Sequence, residues 1–309
     1  MTARRAAALG FALDVARALA IALGIVVASF FLIRVVPGDV VDVLGLQGDM
    51  TYQQQSKLRE ELGLSYSWIE QFQIWSTMML QGDFGISSRF TVPVMDLIVT
   101  ALPPTIALGA LGMAFGLSLG LGLPILAVLY PRSPFPALVG FVTIWSITMP
   151  PFAIGIAAVI VFAVWLGWIP AIGNIWMPAM ILGMDIAGTL AKMFYEDLKE
   201  FRSSEFVRTA RAKGLSDMRI VLVHMVPNAL AVALALMGIV FAGVLSGTIT
   251  LEVVFGLPGI GSLTLGAMQG RDYPTVQAVV IWLGLVVVVA NLLTDTLQRM
   301  VDPRLRRRR

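Results

Sequence analysis

Long apolar runs separated by short polar stretches dominate this chain, and the runs have the length of membrane-crossing helices. They fall at about residues 9–36, 103–129, 137–166, 179–194, 228–255 and 276–297. Six such runs predict an all-α polytopic membrane protein with six transmembrane helices. The second run is rich in Gly and Ala, which permits close helix packing. Pro150-Pro151 breaks the third, because proline lacks a backbone donor and clashes with the preceding turn. Trp168 and Trp176, in the polar stretch after it, are expected as interfacial anchors.

The polar stretches fall into two kinds. Residues 37–100 carry eight acids and three bases, with a polar helix QQQSKLREELGL ended by Gly63, an amphipathic WIEQFQIWSTMMLQG and a loop GDFGISSRF. An acidic insert is expected outside the cell membrane. Arg4, Arg5, Arg132, the stretch 195–225 and the tail Arg304-Leu305-Arg306-Arg307-Arg308-Arg309 are basic instead. Six spans put all of these on the cytoplasmic side, both termini included. The linear division is therefore 1–36, tail and first span; 37–100, extracytoplasmic insert; 101–303, five-span core; and 304–309, basic tail.

One basic stretch, EFVRTARAKGLSDMRIVLVHMVPNAL from Glu205 to Leu230, has more detail. Its first part predicts a short amphipathic helix over 203–213, with Ser203 or Ser204 as N-cap and Glu205 in the positive first turn. Phe206 and Ala210 fall near one face, while Arg208, Arg211 and Lys213 spread over the others. Gly214 stops this helix, and Ser216 caps the next, with Asp217 in its first turn. That second helix becomes apolar at Ile220 and meets Pro227. A basic cytoplasmic loop that only obeys the positive-inside rule is the plain alternative.

With no Cys, one His and 58% apolar residues, the chain has no disulfide, thiol nucleophile or multi-histidine metal site. It has no phosphate-cradling G-x-x-x-x-G-K-[ST], no H-E-x-x-H and no G-x-S-x-G, so it carries no recognisable ATPase, metalloprotease or hydrolase centre. No catalytic residue is assigned, and His224 lacks triad partners. The net charge of +3 reflects cations beside spans rather than nucleic-acid binding. Asp14 and Arg17 read as snorkelling charges in the first turns of span one. Glu252 follows an almost uncharged span, so it either faces a cavity or partner or sits at the outer interface. Asp185, in span four, either lines a path or pairs with a neighbouring helix, the latter favoured. Asp295 reads as solvated or paired with Arg299.

The stretch around Gly214 resembles the cytoplasmic EAA signature of ABC-importer permeases, Glu-Ala-Ala, three residues, Gly, nine residues, Ile-x-Leu-Pro. Anchored on Gly214, the triplet falls on Arg208-Thr209-Ala210 and the tetrad on His224-Met225-Val226-Pro227. The Gly, second Ala and Pro match, and the departures resemble the dipeptide, oligopeptide and nickel branch. RVVPGD, LREELGL, QGDFGIS, FGLPGIG, RDYPTVQ and the terminal DPR are similar to motifs of the same branch.

The resemblance implies a type I importer permease fold in the bacterial inner membrane. It implies a second homologous permease, two cytoplasmic ABC ATPases and an extracytoplasmic binding protein as partners, besides the bilayer. No cofactor is expected on this chain; ATP and Mg would sit on the ATPases. Coupling helices are expected within 196–225. They would present Glu205, Phe206, Arg208, Thr209, Ala210, Arg211, Lys213, Gly214 and Leu215 to an ATPase. Glu252, Phe255, Pro258 and Gly259, with Asp185, are expected to form the outer gate or translocation path. Peptides are the expected solute, with nickel chelates or other small solutes as the alternative. An ion-coupled secondary transporter would need inverted repeats and intramembrane ionisable groups, neither of which is evident.

Overall fold

The computed structural model describes residues 3–35, 41, 42, 45, 50–61, 64–235 and 237–301. The expected turn at Pro37-Gly38-Asp39, the Gly63 stop, the Arg4, Arg5 and Arg299 side chains and the tail 304–309 lie outside what is described. Regular structure among the described residues is helical, apart from an isolated bridge between Ile86 and Pro93. Four helices there are long and apolar enough to cross a membrane, and two bent pairs raise the number to six if each is one span. The chain divides into two compact units that interleave in sequence.

One unit comprises Arg17–Pro103 and Pro258–Val288. It holds most of α1 (Ala3–Val35), α2 (Tyr52–Glu61), α3 (Trp68–Leu80) and the start of α4 (Val94–Leu129). It also holds α12 (Ile260–Gln269) and the first half of α13 (Tyr273–Val301). Its apolar core joins Val94 and Ile98 of α4 to Ile260 of α12 and Ala278 and Val279 of α13. The amphipathic α3 lays Phe72 and Trp75 against Phe30, with ring centroids 5.1 and 5.2 Å apart. Gln71 bridges α1 to the preceding loop: its Oε1 accepts from Arg34 Nε, and its Nε2 donates to the Leu64 and Tyr66 carbonyls. A capping box opens α3, because Ser67 accepts from the Glu70 N–H while Glu70 accepts from Ser67. Those bonds, first from the Ser67 hydroxyl and then from its N–H, hold the Glu70 carboxyl below the usual range.

The other unit contains Met1–Ala16, Pro104–Leu257 and Val289–Arg309. It includes α5 (Phe135–Thr148) and α6 (Pro151–Ala158), which continues as a π-helical segment Val159–Trp165. The long α7 (Trp176–Arg202) and the short α8 (Glu205–Ala212) follow. Then α9 (Asp217–Arg219) runs through a π segment, Ile220–Met225, into α10 (Val226–Ala235), and α11 (Met237–Phe255) completes the set. Gly112, Gly116 and Gly120 of α4 form a small-residue stripe that receives Leu182, Ile186 and Leu190 of α7. A β-carbon on Gly112 would lie 2.6 Å from Leu182, and one on Gly116 equally close to Ile186. A spacing of four on both helices is ridge-into-groove packing, which small residues bring to short range. Across α7, Gly188 sits against Ser146 and the Val142 carbonyl of α5.

Two sequence expectations are corrected here. Span two begins as a helix at Val94, well before Pro103, because its first turns are tied into the apolar core of the first unit. The expected break at Pro150-Pro151 is present, and the two helices it separates meet at 99°. Two successive prolines remove two donors, and Pro150 takes extended backbone before α6 restarts at Pro151. Asp14 does lie in the first turns of the apolar span Gly10–Val35, but it is buried rather than reaching out to water. Pro227 also has a visible consequence. The helix widens to π geometry just before it, with the Val226 N–H on the Val221 carbonyl, which makes room for the proline ring.

Candidate functional site

The helix α8 starts where the sequence indicates. Ser204 is its N-cap in extended backbone, and Glu205 lies in the first turn. Its C-terminus is a complete Schellman stop. Gly214, at φ +79, donates its N–H to the Arg211 carbonyl, and the Leu215 N–H reaches back to Ala210. Lys213 is the exposed C-cap. Ser216 caps α9, with its side chain accepting from the Arg219 N–H.

Two sides of α8 have different fates. Val207 and Ala210 are buried, at 0% and 7% exposure, in one apolar cluster with Phe194 and Leu198 of α7 and Ile220, Val221 and Met225 of the π segment. Phe206 is 41% exposed, its ring 5.9 Å from that of Phe201. Arg208 is exposed and pairs with Glu205 at 2.7 Å, while the exposed Thr209 hydroxyl donates to the Glu205 carbonyl. Arg211 reaches Asp217 across the Gly214 turn, 3.2 Å away. Leu215 is half-buried against the apolar cluster. This corrects the expectation that Phe206 and Ala210 form one partner-facing pair. Ala210 already belongs to the chain's own interior, and the apolar position that partners it is Val207, three residues back. Both spacings suit a helix, so periodicity alone could not choose between them. The Arg211–Asp217 pair was also missed; its signal was an acid placed just beyond the helix stop.

The other candidates lie on different elements. Glu252 and Phe255, one turn apart on α11, are both fully buried. The interfacial reading of Glu252 therefore does not hold, since an interfacial acid would keep its carboxylate in water. Near Phe255 the chain repeats the helix stop used at Gly214. Gly256, at φ +61, donates to the Val253 carbonyl, and Leu257 donates to that of Glu252 at 2.8 Å. The Phe255 carbonyl is taken by the Gly173 N–H at 2.9 Å. Pro258 is exposed, and Gly259, in extended backbone, is the N-cap of α12. Asp185 of α7 is half-buried and accepts from Ser146 of α5 at 3.0 Å, so it is paired with a neighbouring helix. Asp295 is exposed. His224 is half-buried, and its carbonyl accepts from the Asn228 side chain. Among the described residues no group of three or more His, Asp or Glu could hold a metal ion.

Comparison with known proteins gives a consistent set of likenesses. Residues 112–307 match the family model described as binding-protein-dependent transport system inner membrane component. A putative peptide transport system permease protein of Brucella abortus (strain 2308) is 32% identical over 305 residues, covering 94% of this chain and 97% of that one. A glutathione transport system permease protein of Salmonella typhi is 33% identical over 289 residues, covering 91% and 94%. Among solved structures, one described as inward facing conformations of the MetNI methionine ABC transporter superposes with a TM-score of 0.56. It is 21% identical and covers 67% of this chain and 97% of its own, so that likeness is one of fold.

Proposed function

This chain belongs to the binding-protein-dependent transport system inner membrane component family, and from that premise we propose that it is the permease half of an ATP-driven peptide importer. It spans the inner membrane many times with both termini in the cytoplasm. It pairs with a second, homologous permease to enclose the solute path. Two ATPases, which carry ATP and Mg, drive the cycle from the cytoplasm, and a binding protein delivers solute from outside. The chain itself performs no chemistry.

The observation that carries the coupling role is the two-sidedness of α8. Val207 and Ala210 anchor it to the bundle, and the side with Phe206, Arg208 and Thr209 faces outward with an exposed aromatic ring and charge. Such a helix suits an ATPase groove. The ring would supply buried apolar area, and the cations would supply charge-assisted contacts. Closure of the ATPases on nucleotide would push α8, which hands the push to α7 and to the π segment Ile220–Met225 through the cluster around Phe194 and Ile220. Glu252, Phe255, Pro258, Gly259 and Asp185 are proposed to line or shape the path and its outer gate.

For the solute, peptides are supported by the relatives named as peptide permeases. Relatives named for glutathione support a short peptide of that kind as a second reading. The deciding experiment reconstitutes the four-component membrane complex in liposomes and adds binding protein loaded with a dipeptide, a tripeptide, glutathione or a nickel chelate. Peptide-loaded protein should stimulate ATP hydrolysis and drive uptake. Stimulation by the nickel chelate alone would overturn the peptide reading.

A further inference from the structure

Two polar motifs far apart in sequence, QGDFGIS and RDYPTVQ, meet in the structure. Asp272, in the turn between α12 and α13, is fully buried. Its carboxylate accepts from the Ser87 hydroxyl, 185 residues away in sequence, and from the Thr275 hydroxyl at 2.7 Å. The Ser88 N–H adds a third donor at 3.1 Å. Ser87 is itself buried, at 1% exposure, and its hydroxyl oxygen accepts from the Phe90 N–H at 2.9 Å. Next to it, Arg89 donates to the Gly266 carbonyl of α12, and its aliphatic stem lies where a β-carbon on Gly270 would stand. Thr91 and Arg271, at φ 56 and 50, are the non-glycine residues with left-handed backbone among those described. They flank this contact on its two sides. Such conformations persist where the surroundings over-determine them.

A buried carboxylate is tolerable only when its lone pairs are taken up by donors. Here two of the donors come from one loop of the insert, so the acid holds the loop by its own need for partners. We infer that Asp272 is a positioning residue of the transport cycle. It clasps the 81–93 loop to the α12–α13 turn, so that this end of the extracytoplasmic insert and α12 move as one piece when a loaded binding protein seats outside. The inference rests on the reading of the chain as an importer subunit. It goes beyond that reading by assigning the mechanical link on the outer side to one acid and its three donors.

The test uses the whole reconstituted complex with binding protein carrying a tripeptide. Two quantities are read: hydrogen exchange of the peptide spanning residues 86–91, and the ratio of stimulated to basal ATP hydrolysis. Ser87→Ala removes one donor and should speed exchange at Ser88 and Phe90 by roughly tenfold, the scale of one charge-assisted hydrogen bond. The stimulation ratio should fall by about fivefold or more, with assembly and basal hydrolysis unchanged. Asp272→Asn should do more in both readouts, and Ser87→Thr, which keeps the hydroxyl, should restore both. If Asp272→Asn does not assemble, Ser87→Ala decides. Faster exchange with a wild-type stimulation ratio overturns the inference, because the clasp would then be glue only. Unchanged exchange overturns it too. A wild-type complex that shows no stimulation fails differently, since it removes the importer reading itself.

Discussion

The chain ends two helices with the same device and puts the two to opposite use. At the end of α8, Gly214 in left-handed backbone closes a Schellman stop, and a β-carbon placed there would meet open space. At the end of α11, Gly256 closes the same pattern of bonds, but a β-carbon there would lie 2.7 Å from Ile172. The Gly173 N–H beside it holds the Phe255 carbonyl. The first stop is at the surface and leaves half of its helix exposed. The second glycine is exposed as well, beside an exposed Ile172, but the turn that leads into it holds the fully buried Phe255 and Glu252. Glycine supplies the left-handed turn in both places. What differs is the helix behind it: α8 is exposed along one side, whereas the last turn of α11 is buried at Glu252 and Phe255.

The same substitution at both glycines sharpens this difference. Gly256→Ala should have the largest effect. It meets the left-handed penalty of ~1–2 kcal/mol and also pushes aside the Ile172 side chain, which is 72% exposed and can rotate away, adding about 0.5–1.5 kcal/mol. Thermal unfolding of the detergent-solubilised complex measures it, and adding Ile172→Ala should recover the second part only. Ala210→Trp follows. Its bulk must enter the cluster of Phe194, Leu198 and Ile220, so about 1–3 kcal/mol of stability should be lost, with α8 loosened in hydrogen exchange. Gly214→Ala comes next, at ~1–2 kcal/mol, with no added clash. Equal losses at Gly214 and Gly256 would erase the distinction between them.

The smallest effect concerns a helix end built without glycine. Glu70 is depressed by its bonds with Ser67, so the α3 cap contributes stability above the unfolded Glu value near pH ~4.3. That contribution fades as pH falls through the lower folded value. Ser67→Ala should remove the cap's share of the stability that is lost as pH falls below the unfolded Glu value. It should leave both glycine stops unaffected.

Much of this was legible in the sequence. The apolar runs mark the helices because length and hydropathy alone set a membrane span, and Ser204, Gly214 and Ser216 mark their own ends because capping is local chemistry. The angle at Pro150-Pro151 was not legible, since a proline removes bonds without fixing a direction. Nor was the burial of Ala210 over Phe206, because Val207–Ala210 and Phe206–Ala210 are both helical spacings and only the position of α7 selects one. The resemblance pointed to the stretch around Gly214, but it could not say which side of α8 the chain keeps for itself. Asp272 was hidden for a similar reason. Its partner Ser87 is distant in sequence, and nothing local in either motif shows that they meet.

The central claim is that the outward side of α8 serves a partner and its inward side serves the fold. Phe206→Ala tests it most directly. The isolated permease pair should lose no more than the Phe201–Phe206 ring contact, about 0.5–1.5 kcal/mol, while the assembled complex loses ATPase association or its stimulation by peptide-loaded binding protein. Normal association and normal stimulation in that variant would contradict the account and leave α8 as a basic surface helix with no coupling role.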